Sequence, residues 1–123
     1  MSKNIAADHI KLKRAYVPPA ADDGTRILVD RLWPRGLKKA TAAIDEWMKE
    51  IAPSAEPRKW FGHAAKRWPE FQRRYESESR QHPEQFERLQ TLSRHGPITL
   101  VFSARDEAHN DAVVLKDLLL GHG

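Results

Sequence analysis

The octapeptide VDRLWPRG, residues 29–36, concentrates side chains that can do chemistry. Its two arginines can donate charge-assisted hydrogen bonds to a phosphate or a carboxylate, and its aspartate can act as a general acid or base. Its tryptophan can stack on a planar ligand or complete the core. Because a core alone does not require this combination, the segment predicts a binding site with the candidate residues Asp30, Arg31, Trp33 and Arg35.

A second polar segment, SARDEAHN, occupies residues 103–110 near the other end of the chain. A histidine that titrates near neutral pH can shuttle a proton, and the N-terminus of the helix that is predicted to follow favours anions. His63 follows a glycine in a predicted loop and is a further ligand-binding candidate. The second segment adds the ligand-binding candidates Ser103, Arg105 and Asn110 and the acid-base candidates Asp106 and His109, beside Asp30.

Two short apolar runs position these segments. Residues 25–30, TRILVD, and residues 98–102, ITLVF, have the continuous hydrophobicity of strands that are covered on both faces in a parallel sheet. Each run leads directly into one of the polar segments. Because parallel strands end at the same edge of a sheet, where open α/β sheets bind their ligands, we expect the two polar segments to face each other.

Ordinary structural roles are also open for these residues. Asp30 could pair with Arg105, Asp106 could cap a turn, and His109 or Asn110 could cap the last helix. Trp68 lies on the apolar stripe of a predicted helix, which favours the core over a ligand.

Three functions are compatible with these residues. The first is an enzyme-like pocket for a small anionic or phosphorylated ligand. The second is a non-catalytic module that binds a protein or nucleic acid through the basic helix at residues 67–80, although Glu70, Glu76 and Glu78 interrupt its positive charge. The third is a metal-dependent hydrolase with Asp30, Asp106 and His109 as ligands, although no HExxH-like signature supports a metal and the sequence identifies no cofactor.

The remaining segments predict an edge strand and several helices. Residues 9–16 alternate, with Ile10, Leu12 and Tyr16 on the inward side. Residues 44–51 have apolar residues at helical spacing, which favours a helix, but alternation leaves a strand open. Helices are predicted from Trp68 through Arg80, from Pro83 to Gly96 and from Asn110 to Leu120, with Leu115, Leu118 and Leu119 facing inward in the last.

Composition fits a single small protein domain. The chain has 123 residues, 40% of them hydrophobic, a formal net charge of +4 and no cysteine, which excludes disulfides and thiolate nucleophiles. It has neither the apolar core of a signal peptide nor a membrane-length apolar run, so we expect a cytoplasmic protein without membrane contact. We expect a flexible N-terminus at residues 1–8 and one three-layer α/β domain at 9–121, with a small, mainly parallel sheet flanked by helices. The oligomeric state stays open.

Four segments, VDRLWPRG, IDEWMKEIAPS, RKWFGH with WPEFQRRY, and ITLVFSARDEAHNDAVVL, resemble the YeaO-like branch of the domain of unknown function 488 family. The resemblance extends from Ile10 to Leu120 and implies a small bacterial α/β protein without supplying a mechanism. Other branches carry cysteine and histidine where this chain has Ser103 and residues 106–110. The resemblance also supports the strand alternative at residues 44–51, because Ala52-Pro53 is similar to a strand-end turn. The family pattern marks Asp30, Arg31, Trp33, Pro34, Arg35, Gly36, Trp47, Ala52, Pro53, Ser54, Trp60, Phe61, His63, Phe71, Tyr75, Arg105, Asp106, His109 and Asn110.

Overall fold

A computed structural model describes residues 9–51, 67–104 and 110–120. Within these ranges the chain forms four strands and four α-helices, and short 3₁₀ helices at Ala21–Asp23 and Lys49–Ile51. The strands are β1 (Ile10–Arg14), β2 (Thr25–Leu28), β3 (Glu46–Trp47) and β4 (Ile98–Phe102). The helices are α1 (Lys39–Ala42), α2 (Trp68–Ser79), α3 (Pro83–His95) and α4 (Asp111–Leu119).

The strands form one sheet in the order β1-β4-β2-β3, and every neighbouring pair is parallel. Ile98 of β4 is level with Ile10 on one side and with Thr25 on the other, so the three longer strands begin together. The carboxyl ends of all four strands therefore lie along the same edge of the sheet. We call this side, residues 14–17, 28–35, 47–49 and 102–104, the carboxyl edge.

One face of the sheet supports the helix-side core. Strand side chains alternate between the two faces, and β4 sends Ile98, Leu100 and Phe102 to this side. Helices α2, α3 and α4 cover them, with Phe71, Tyr75, Leu89 and Leu115 among the buried side chains that they contribute. This face contains most of the buried apolar surface that stabilises the fold.

The opposite face carries a smaller loop-side core. It is built from the buried Ala15, Leu28 and Val101, against which Trp33, Leu37, Ile44 and Trp47 pack. The Arg26 side chain also lies on this side, where it donates to the carbonyl oxygens of Ala42 at 3.0 Å and Ala43 at 3.2 Å. The short helix α1 and the loop before it therefore form the third layer, which confirms the predicted α/β architecture.

Residues 44–51 do not form the helix that their spacing favoured. They run through strand β3 into a 3₁₀ turn, and Asp45 N–H and Met48 N–H donate to the carbonyls of Arg26 and Leu28 on β2, both at 2.9 Å. The apolar residues of this segment are divided between the two faces, because Ile44 and Trp47 join the loop-side core while Met48 and Ile51 join the helix-side core. A helix would present all four on one side, so the strand alternative is the correct one.

The other element predictions are confirmed apart from one inward side chain. Helices α2, α3 and α4 form, and β1 is an edge strand with Ile10 buried. Tyr16, however, is 46% exposed instead of inward. The alternation ends because β1 stops at Arg14 and the chain turns, with Val17 N–H donating to the Arg14 carbonyl at 3.0 Å.

Gly24 sits at a close approach before β2. Its φ of +66° lies in the region that favours glycine, and a Cβ there would lie 2.0 Å from the carbonyl oxygen of Pro97. Only glycine lets the chain enter β2 beside the start of β4.

Among the described helices, none combines the length and apolar character that crossing a bilayer requires.

Candidate functional site

Asp30 and Ser103 meet at the carboxyl edge. Asp30 Oδ2 accepts a hydrogen bond from the Ser103 backbone N–H at 2.8 Å and another from the Ser103 hydroxyl at 2.7 Å. Both side chains are half-buried and follow the two central strands, β2 and β4. The predicted meeting of the two polar segments is therefore observed for this pair.

Arg14 fixes the next residues of the same loop and was not among the candidates. Its guanidinium donates to the carbonyl of Ala104 at 2.9 Å and to that of Ser103 at 3.1 Å. Arg14 is in register with Phe102 on β4, so its side chain reaches the residues that follow this strand. From the sequence alone it is one more basic residue of a half-exposed strand, because the β1–β4 register is a tertiary property.

Trp33 and Trp47 form an aromatic pair beside this edge. Their ring centroids are 5.5 Å apart at an interplanar angle of 67°, a favourable edge-to-face arrangement. The Trp33 indole N–H donates to the Leu37 carbonyl and the Trp47 indole N–H to the Asp30 carbonyl, both at 2.7 Å. Trp33 thus completes the loop-side core, one of its two predicted roles, and Trp47 holds the backbone of the candidate aspartate.

Two lysines add positive charge around this pair. Lys49 Nζ lies 4.2 Å from the Trp47 ring centroid, and Lys39 Nζ lies 5.8 Å from that of Trp33, within the range of cation–π contacts. Arg35 is exposed, and its carbonyl accepts a hydrogen bond from the Tyr16 hydroxyl at 2.9 Å. Residues 30–39, which we call the cationic loop, therefore present exposed positive charge at Arg35 and Lys39, and Lys49 adds to it from the segment after β3.

Tyr75 links helix α2 to the 3₁₀ turn that follows β3. Its buried hydroxyl donates to the carbonyl of Ile51. Burial raises the Tyr75 pKa well above its usual value of 10.0, and the negative charges of Asp111, Glu78 and Asp30 raise it further, while Arg31 lowers it. Tyr75 therefore remains a neutral donor and acts as a structural link.

Asn110 caps helix α4. Its side-chain oxygen accepts from the backbone N–H of Val113 at 3.1 Å, so the structural alternative considered for this residue is observed. Arg31, Trp33 and Arg35 follow β2 at the same edge as Asp30 and Ser103. The predictions for His63, Arg105, Asp106 and His109 lie outside the described residues.

The described residues give less support to the two alternative functions, a binding module based on the basic helix and a metal-dependent hydrolase. On helix α2, Arg73 and Arg74 pair with Glu70, and Arg80 pairs with Glu76, so glutamates offset much of the positive charge. Over residues 9–51, 67–104 and 110–120 no three histidine or acidic side chains are grouped as metal ligands. Two of the three predicted metal ligands, Asp106 and His109, fall outside those ranges.

Comparison with known proteins supports the resemblance seen in the motifs. The chain is 46% identical over 111 residues to the "Uncharacterized protein YeaO" of Escherichia coli strain K12, covering 90% of this chain and 96% of the relative. It is 38% identical over 112 residues to the uncharacterized proteins Mb3100c of Mycobacterium bovis and Rv3073c of Mycobacterium tuberculosis strain H37Rv, covering 91% of this chain and 94% of each relative. No solved structure gives a significant match.

A family model described as "Inactive DUF488-N3 subclade" matches residues 9–122, which span all of the described strands and helices. With this match and the YeaO relative, the chain belongs to the YeaO-like branch of the DUF488 family.

Proposed function

We propose that this protein is a binding protein for a small anionic or phosphorylated molecule, that the ligand docks at the carboxyl edge, and that the protein does not transform it. The observation that carries the proposal is the double hydrogen bond from Ser103 to Asp30, which joins the ends of the two central strands where α/β sheets bind ligands.

Positive charge beside this joint supports an anionic ligand. Residues 30–39 contain one carboxylate and four basic side chains, namely Arg31, Arg35, Lys38 and Lys39. Three of these, Arg35, Lys38 and Lys39, are exposed. Arginine can donate two parallel hydrogen bonds to a phosphate or carboxylate, so this loop can supply both charge and directed donors.

The engagement of Asp30 supports binding without catalysis. A general base must reach the proton that it removes from the substrate, but Asp30 Oδ2 accepts both donors of Ser103. The subclade whose family model matches the chain is described as inactive, and this chain has no cysteine to supply a thiolate. In the proposed function Asp30 and Ser103 shape the site, and the arginines hold the ligand.

Titration with pyrophosphate tests this proposal. We expect saturable binding by calorimetry that weakens as salt rises from 25 to 200 mM, because exposed charge pairs are screened. Arg31→Ala and Arg35→Ala should each weaken binding by about 5- to 20-fold, equivalent to about 1–2 kcal/mol for a charge-assisted hydrogen bond. The matched control is Arg73→Ala, which removes the same charge from helix α2.

Two results would contradict the proposal. Equal weakening by Arg73→Ala would mean that pyrophosphate senses only the net charge. Turnover of p-nitrophenyl phosphate that disappears in Asp30→Asn would mean that the site is catalytic.

A further inference from the structure

The carboxyl edge holds every large apolar side chain that the described part of the chain exposes. These are Tyr16 at 46%, Val17 at 42% and Leu32 at 69% of full exposure. Single exposed apolar residues are common on protein surfaces and need no explanation. Here, however, two of them follow β1 and the third follows β2, so they lie at the same edge as the cationic loop.

Tyr16 is held in place by Arg35, from the loop after β2, and by Arg14, the last residue of β1. Its hydroxyl donates to the carbonyl of Arg35 at 2.9 Å, and the Arg14 guanidinium carbon lies 5.2 Å from its ring centroid. Arg14 is itself tied to the carbonyls of Ser103 and Ala104. A ring that is nearly half exposed and already ordered loses little conformational freedom when a second planar group packs against it.

We propose, building on the proposed anion site, that its ligand carries a planar aromatic group joined to a phosphate, and that Tyr16 contacts the aromatic group. The phosphate of such a ligand complements the exposed charges of Arg35, Lys38 and Lys39 in the cationic loop, whose backbone accepts the hydrogen bond from Tyr16. The exposed apolar side chains at the same edge offer a surface against which the aromatic group can pack. Aryl phosphates and nucleoside monophosphates have both groups, whereas inorganic phosphate has no aromatic group.

A ligand series tests the two halves separately. Calorimetric titrations would use inorganic phosphate, phenyl phosphate, adenosine monophosphate and adenosine at one salt concentration. We expect both aromatic phosphates to bind roughly tenfold more tightly than inorganic phosphate, the gain expected for one stacked ring. Adenosine alone should bind weakly, and the ratio between phenyl phosphate and adenosine monophosphate distinguishes a simple aryl group from a nucleoside.

Substitutions at Tyr16 identify the contact. Tyr16→Leu keeps an apolar side chain without a planar ring, and it should remove most of the tenfold gain of the aromatic phosphates over inorganic phosphate measured on the same variant. Tyr16→Phe keeps the ring and loses only the bond to the Arg35 carbonyl, so it should retain most of the gain. Thermal unfolding of each variant would verify that the exposed substitution leaves the fold intact.

Each failure has its own meaning. If inorganic phosphate binds and the aromatic phosphates bind no better, or if Tyr16→Leu keeps the full gain, the aromatic part is overturned and the anion site stands. If no phosphate binds at all, both proposals are overturned.

Discussion

Strand β2 has aspartate and arginine near both of its ends, and the two pairs have different surroundings. Asp23 and Arg26 are 2% and 3% exposed, and they form an ion pair with Arg26 Nη1 2.6 Å from Asp23 Oδ2. Asp30 and Arg31 lie half-buried at the carboxyl edge, next to exposed cations. The same residue types therefore stabilise the fold at one end of the strand and form a candidate binding surface at the other.

Saturation of hydrogen bonds explains why the first pair is structural. Asp23 also accepts from Lys13 Nζ at 2.7 Å and from the Ala20 backbone N–H at 3.0 Å. The Arg26 guanidinium donates to two backbone carbonyls besides Asp23. We call Lys13, Asp23 and Arg26 the buried ion cluster. A cluster whose donors and acceptors are paired inside the protein has few groups left to bind a ligand, whereas the carboxyl edge has exposed cations.

The largest expected effect is at Arg26. Arg26→Met removes one cation and leaves the buried Asp23 carboxylate with Lys13 and the Ala20 N–H, so the free energy of unfolding should fall by about 3–5 kcal/mol. The measurement is urea unfolding followed by circular dichroism. Arg35→Met is the matched control, and at an exposed position it should change stability by less than about 0.5 kcal/mol. Equal losses in the two variants would remove the distinction between the two ends of β2.

Lowering the pH should remove a smaller part of the stability that the buried ion cluster contributes. Burial raises the Asp23 pKa, but hydrogen bonds from Lys13, Ala20 and Arg26 outweigh it and lower the pKa from 3.8 to about 2. A carboxyl group whose pKa is lower in the folded state stabilises the protein fully above pH 3.8, and this contribution is lost as the pH falls from 3.8 toward 2. Unfolding measured at several pH values should show this decline, and Asp23→Asn should make it shallower. An equal decline in Asp23→Asn would assign the acid sensitivity to other carboxylates.

The smallest expected effect on stability is at Asp30. Asp30→Asn keeps an oxygen acceptor for Ser103 but removes the charge, so the loss should be about 1 kcal/mol, measured by urea unfolding. Asp22→Asn is the control, because that carboxylate pairs with Lys11 at the exposed surface, where solvent screens the pair, and its loss should be smaller than that at Asp30. A loss of stability in Asp30→Asn as large as that in Arg26→Met would mean that Asp30 has the same structural role as the buried ion cluster.

Much of the fold was predictable because its signals are local. The apolar runs of β2 and β4, the stripes of helices α2 to α4 and the stop at Gly96-Pro97 depend on neighbouring residues only. The meeting of Asp30 with Ser103 was also predictable in outline, since both follow buried parallel strands. Trp47 could not be placed in this way. It belongs to a segment with helical apolar spacing, but the segment forms a strand because it pairs with β2.

The sequence by itself determined the α/β class, the two central strands, the family and the positive charge that follows β2. Only the tertiary structure decided that Asp23 is buried in an ion cluster, that Arg14 holds the loop after β4, and that Tyr16 is exposed beside the cationic loop. The physical reason is that hydrophobic periodicity is a property of one segment. The environment of a charged or aromatic side chain, in contrast, depends on strand order and register, which bring distant segments together.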